Sequence, residues 1–197
     1  MQKSHQMEKL SKEITNCKQC ELWKTRTHPV IGEGSLNAKL FFIGEAPGFN
    51  EDKQGRPFVG RAGKILDDLI ESVGLKREEV YIANILKCRP PNNRNPFASE
   101  IQACSAFLKT QLQLIDPSII IPMGSFATEY VFNTFNLPFT KISELHGKMY
   151  STKTLYNTKT ILPMYHPAVA TYNPNNKTIL LTDIKKVEPF IVSKTIW

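Results

Sequence analysis

Seven side chains in this sequence stand out for what they could hold or recognise: Cys17, Cys20, Cys88 and Cys104, and the polar trio Glu45, Asn84 and His166. The cysteines open with a C-x-x-C pair; 67 residues separate Cys20 from Cys88, and 15 more separate Cys88 from Cys104. The lysine and glutamine inside that pair are poor core neighbours, so it does not read as two stray buried thiols. In a reducing compartment such a quartet points to a metal rather than to disulfides. Spacing alone admits either a structural zinc or a four-iron cluster. Glu45, Asn84 and His166 each follow or lie near the end of an apolar, β-forming run. An asparagine inside such a run is costly unless its amide is paired. Polar groups at the carboxyl ends of parallel strands converge where open α/β sheets bind ligands.

The elements that must position them follow from periodicity. Strands are predicted over residues 39–43, 80–86 and 118–122, with a hairpin over 146–164 whose second arm is 160–164. Helices are predicted over residues 6–16, 64–73 (stopped by Gly74), 98–115, 124–132 and 176–192. Residues 23–34 have no clear period and read as a loop. This alternation argues an α/β fold, a three-layer α/β/α sandwich with a mainly parallel central sheet. At 197 residues the chain suits one domain, 1–197. Between the first strand and its helix lies IGEAPGFNEDKQGRPFVGRAG (43–63), with five glycines, several charges and an oddly placed Phe58. Glycines let backbone turn tightly or approach a ligand closely, and the stretch reads as a pocket wall. Residues 87–96, KCRPPNNRNP, read as a rigid basic loop.

Charge and hydropathy narrow the partners. The formal net charge of +7 suits a polyanion, because Lys and Arg release counterions from phosphates. No apolar run approaches 18 residues, and the N-terminus lacks the apolar core of a signal peptide, so a cytoplasmic chain that touches no membrane is expected.

Four blocks then carry a specific resemblance: GEAPGFNED (44–52), GRPFVGRAG (55–63), NILKCRPPNNRNP (84–96) and HPA (166–168). In this order, and with this cysteine spacing, the chain resembles the type 4, iron–sulfur uracil-DNA glycosylases from about Cys17 to Pro174. The resemblance implies the uracil-DNA glycosylase fold and a [4Fe-4S] cluster on Cys17, Cys20, Cys88 and Cys104. It also implies a prokaryotic, monomeric repair enzyme acting on uracil-containing DNA, whose sliding-clamp or repair partners the sequence does not name. Phe58 is expected to stack on a flipped uracil. Asn84 is expected to read the O4 and N3 edge, and His166 to lie near O2. Glu45, Ala46 and Gly48 are expected to line the same pocket. Glu45 is the first choice for orienting water and Glu51 the second, since the best-known branch of the superfamily has an aspartate where this chain has Ala46.

Arg56, Arg61, Lys87, Arg89 and Arg94 flank these loops and are expected to contact phosphates. Two departures stand out: relatives tend to carry arginine where this chain has Tyr172 and His146. Tyr172 is a candidate for the gap left by the base. The rival readings are a non-catalytic nucleic-acid-binding module with a four-cysteine zinc site, and a superfamily glycosylase for other deaminated bases or one that captures DNA covalently.

Overall fold

A computed structural model describes residues 2–153 and 158–192; the tip of the predicted hairpin lies outside them. The strands are β1 (Glu33–Gly34), β2 (Leu40–Gly44), β3 (Tyr81–Asn84), β4 (Ile119–Pro122), β5 (Tyr150–Lys153) and β6 (Thr158–Ile161). Among the described residues they form one six-stranded sheet in the order β1-β3-β2-β4-β6-β5. The inner four are parallel, and β1 and β5 run antiparallel at the edges. The helices are α1 (Gln2–Thr15), α2 (Phe49–Gln54), α3 (Arg61–Ser72), α4 (Ala98–Ile115), α5 (Ser125–Thr134), α6 (Ile142–Leu145), α7 (Val169–Tyr172), α8 (Asn175–Ile184) and α9 (Glu188–Val192). None is long and apolar enough to cross a membrane.

Strand pleating sends alternate residues to two cores. Phe41 and Ile43 of β2 join Leu10 and Ile14 of α1, Leu108 of α4 and Phe132 of α5. Leu40 and Phe42 join Leu66 and Ile70 of α3 and Leu180 of α8 on the other side. Each fully buried Leu, Ile or Phe contributes about 1.5–3 kcal/mol. Burial of Ile14 thereby fixes α1 three residues before Cys17. This is the three-layer sandwich that the periodicity implies.

Four segments differ from expectation. Residues 23–34 are not wholly loop, because β1 pairs Glu33 with Ile82 and Gly34 with Tyr81. Gly34 permits this approach: at φ +124, a Cβ there would sit 1.9 Å from the Val80 carbonyl oxygen. The glycine stretch contains a helix of its own, α2. The single helix predicted over 176–192 is α8, a 3-10 turn at Lys185–Val187, and α9. Pro189, with no N–H and a ring that crowds the carbonyl four residues back, accounts for the break. The second predicted strand also ends early as a strand, at Asn84, although Ile85 and Leu86 still donate to the carbonyls of Gly44 and Glu45.

Candidate active site

The carboxyl ends of β2 and β3 and the segment after β6 meet at a cavity of about 430 Å³, within the usual range for small-molecule sites. Glu45, Glu51, Phe58, Asn84, Arg94 and His166 line it, with Ala46 and Gly48 on the same wall. Pro90, Asn93 and Asn95 close one side. Sequence reading marked that loop as rigid and polar but assigned those three no role. The available signal was the Asn-Asn pair, since asparagine tolerates the left-handed backbone that Asn92 and Asn93 adopt at φ 54.

Phe58 is 6% exposed and adopts φ 50, a strained conformation for a bulky residue. Such strain costs about 1–3 kcal/mol and persists only where surrounding contacts impose it. Here they do. Glu51 Oε1 accepts from the N–H groups of Val59 and Gly60 at 2.9 and 3.0 Å. Arg77 donates to the Pro57 carbonyl, and Gly63 lets α3 press on Phe58, where a Cβ would meet the Phe58 oxygen at 1.9 Å. Below Phe58, a Cβ on Gly44 would lie 2.3 Å from Asn84 Oδ1 and 2.7 Å from Phe58 Cζ. Gly44→Ala is therefore expected to destabilise the protein by about 1–3 kcal/mol while displacing both side chains. Thermal unfolding measures this, and an unchanged midpoint would contradict the packing described.

Asn84 is 2% exposed and its carboxamide borders the cavity. The side chain makes no hydrogen bond among the described residues. Its donor and acceptor capacity is thus left for whatever enters. The His166 ring stacks on Phe58, centroids 5.5 Å apart and planes at 28°. Its Nδ1 accepts from the Ala168 N–H at 3.2 Å, which places the ring proton on Nε2. The residue is half-buried by area, with its ring against Phe58. Desolvation pushes its pKa down to about 4, against the opposing pull of Glu51, so the imidazole is neutral at pH 7. Burial raises the Glu45 carboxyl above its ordinary value.

The ring centroids, 5.5 Å apart, lie within the separation of rings in direct contact, which leaves no room for a base between them.

The four cysteines are free thiols that border one small pocket on the far side of the same β3 connection. Arg26 donates to Cys88 Sγ at 3.1 Å, and the Lys87 N–H donates to Cys104 Sγ at 3.3 Å. Such donors favour thiolate ligands. Among the described residues no group of three or more Cys, His, Asp or Glu is already drawn into a metal-holding set. Four sulfurs lining one pocket nevertheless suit zinc or an iron–sulfur cluster in kind.

The cations behave differently from one another. Lys87 is 1% exposed, so its expected phosphate contact does not stand: the ammonium is turned inward to the Asn84 carbonyl and Gln111. Arg56 forms a two-point ion pair with Glu33. Arg89 donates to Asn93 and lies over Phe49, and Arg94 grips Glu100 with both terminal nitrogens while lying over Phe97. Arg61 is exposed at the start of α3, with no ion pair or hydrogen bond from its side chain among the described residues. Tyr172, 83% exposed, ends α7, the helix after His166. His146 is bonded to Asp183 at 2.7 Å and tilts against Tyr165.

Comparison with known proteins bears on this geometry. The family model of the Uracil DNA glycosylase superfamily matches residues 31–186. The type-4 uracil-DNA glycosylase of Saccharolobus solfataricus is 48% identical over 189 residues, covering 95% of this chain and 87% of the relative. That of Sulfurisphaera tokodaii is 46% identical over 188 residues, 95% and 86% of the two chains. That of Archaeoglobus fulgidus is 44% identical over 181 residues, 92% and 91%.

Proposed function

The chain belongs to the uracil DNA glycosylase superfamily, in its type-4 branch, and from that premise we propose how its pocket excises uracil from DNA. It is a repair hydrolase that takes uracil out of the stack, cleaves its N-glycosidic bond and leaves an abasic site. The observation that carries the residue assignment is the buried Asn84 carboxamide, unpartnered among the described residues, on the cavity wall.

With the base lying against Phe58, the Asn84 NH2 donates to O4 and its carbonyl oxygen accepts from N3–H. Cytosine presents the opposite pattern at both atoms and leaves buried partners unmatched. As the N1–C1′ bond breaks, negative charge grows on the departing base, and His166 Nε2–H donates to O2. A neutral donor there favours the transition state more than the bound substrate. Water adds at C1′, oriented by Glu45, which takes up its proton. Glu51 is the second choice, because one of its oxygens already holds the Phe58 loop. Glu45→Gln is expected to lower kcat about 10²-fold, with single-turnover rates as the check; unchanged rates would move the role to Glu51.

Arg61 meets a phosphate, and Arg56, Arg89 and Arg94 support the same face through their existing partners. Tyr172 fills the space left by the base. Cys17, Cys20, Cys88 and Cys104 would hold a [4Fe-4S] cluster, which supplies a cross-link between the CxxC turn after α1 and the connection after β3. Anaerobically purified protein is expected to contain iron and no stoichiometric zinc, and to lose thermal stability when the cluster is bleached. Zinc alone would contradict the cluster.

The function is tested by base release from oligonucleotides carrying uracil, hypoxanthine or a thymine mismatch, followed by alkaline strand cleavage. Uracil release is expected. DNA binding with no release of any base would overturn the reading.

A further inference from the structure

The segment 84–88 joins the pocket to the cysteine site, and it is pinned more densely than a connection requires. The N–H groups of Ile85 and Leu86 reach the carbonyls of Gly44 and Glu45, both at 3.0 Å. Lys87 is held by its own N–H on Cys104 Sγ at 3.3 Å, and its carbonyl accepts from Val30 at 2.7 Å. Its side chain turns back along the same segment. The ammonium donates to the Asn84 carbonyl at 2.9 Å and to Gln111 Oε1 at 2.6 Å. Gln111 is 0% exposed and is itself fixed through its NH2 on the Ile31 carbonyl at 2.8 Å.

Lysine is almost never fully buried unless paired, and no carboxylate meets this one among the described residues. An apolar side chain of similar length would fill the same space without that desolvation cost. What the ammonium adds is a direct grip on the main chain of the residue whose carboxamide borders the pocket. We infer that Lys87 is a positioning residue: it clamps the Asn84 main chain against Gln111 and Cys104, so that the four-cysteine site sets the orientation of the base-reading carboxamide. The inference rests on the role proposed above for Asn84.

Lys87→Met keeps most of the volume and removes the ammonium. The iron content and the affinity for uracil-free duplex should match wild type, while kcat for uracil release falls about 10- to 100-fold, as small misplacements of a reading group produce. The deciding readout is a double-mutant cycle. In an Asn84→Ala background Lys87→Met should cost about threefold or less, because the group it orients is gone. Equal losses in both backgrounds, or a change confined to melting temperature or iron content, overturn the inference. If Lys87→Met does not fold, Gln111→Leu removes the second ammonium contact and should show the same non-additivity. Failure of both variants to fold with wild-type iron content makes Lys87 a folding residue, which also overturns it. A wild-type protein that releases no uracil sinks the role given to Asn84; an active wild type with additive penalties sinks only the clamp.

Discussion

Asn84→Asp is expected to lower uracil release by about 10- to 100-fold and to shrink the preference for uracil over cytosine. The substitution preserves shape, so Gly44 still packs against it. It replaces the NH2 donor with a second acceptor, which faces O4 of uracil without a hydrogen between them. Each buried mismatch costs about 1–3 kcal/mol, and every 1.4 kcal/mol is about tenfold. The same acceptor suits the N4 amino group of cytosine, so the penalty falls on one base alone. Protonating the new carboxyl restores one donor, and the deficit relative to wild type should therefore narrow as pH falls. Single-turnover rates on otherwise identical U and C oligonucleotides measure both effects. An unchanged uracil rate would remove Asn84 from the site.

His166→Ala is expected to lower kcat by about 10²- to 10³-fold, the usual effect of deleting one donor to a developing anion. DNA affinity should change little, because the donor acts mainly once charge has left for O2. Equal loss of both would make His166 a binding residue. The pH profile carries independent information. Folding lowers the His166 pKa from the ordinary 6.5 to about 4 through desolvation. Between those values the unfolded chain binds the proton and the folded one does not. Stability from this group is therefore present above 6.5 and lost as pH falls toward 4. The catalytic counterpart is a wild-type rate with no step near 6.5, any acid limb lying lower. A limb at 6.5 that His166→Ala abolishes would show that the imidazole titrates as if exposed.

Much of the fold was legible because its cues are local. The apolar runs over residues 39–43, 80–86 and 118–122 became β2, β3 and β4 in one parallel sheet. Parallel strands then bring their carboxyl ends together, which is why Glu45, Asn84 and His166, far apart in sequence, border one cavity. The paired edge strand β1 was not legible, since two residues carry no period and only Gly34's close approach to Val80 permits the pairing. Lys87 misled for a physical reason. A lysine among arginines reads as surface charge, and only the position of Gln111, 24 residues away on α4, shows that it turns inward. The Phe58–His166 contact was likewise invisible in sequence, because the two residues lie far apart in the chain and only the folded sheet edge brings their rings together.

The most direct measurement is a crystal structure of the protein with uracil-bearing DNA, trapped in the Glu45→Gln variant or as the product complex. The expected result is a pyrimidine ring against Phe58, with O4 and N3 within hydrogen-bond distance of the Asn84 carboxamide and O2 facing His166 Nε2. A base bound elsewhere, or one in the cavity with Asn84 unengaged, would contradict it.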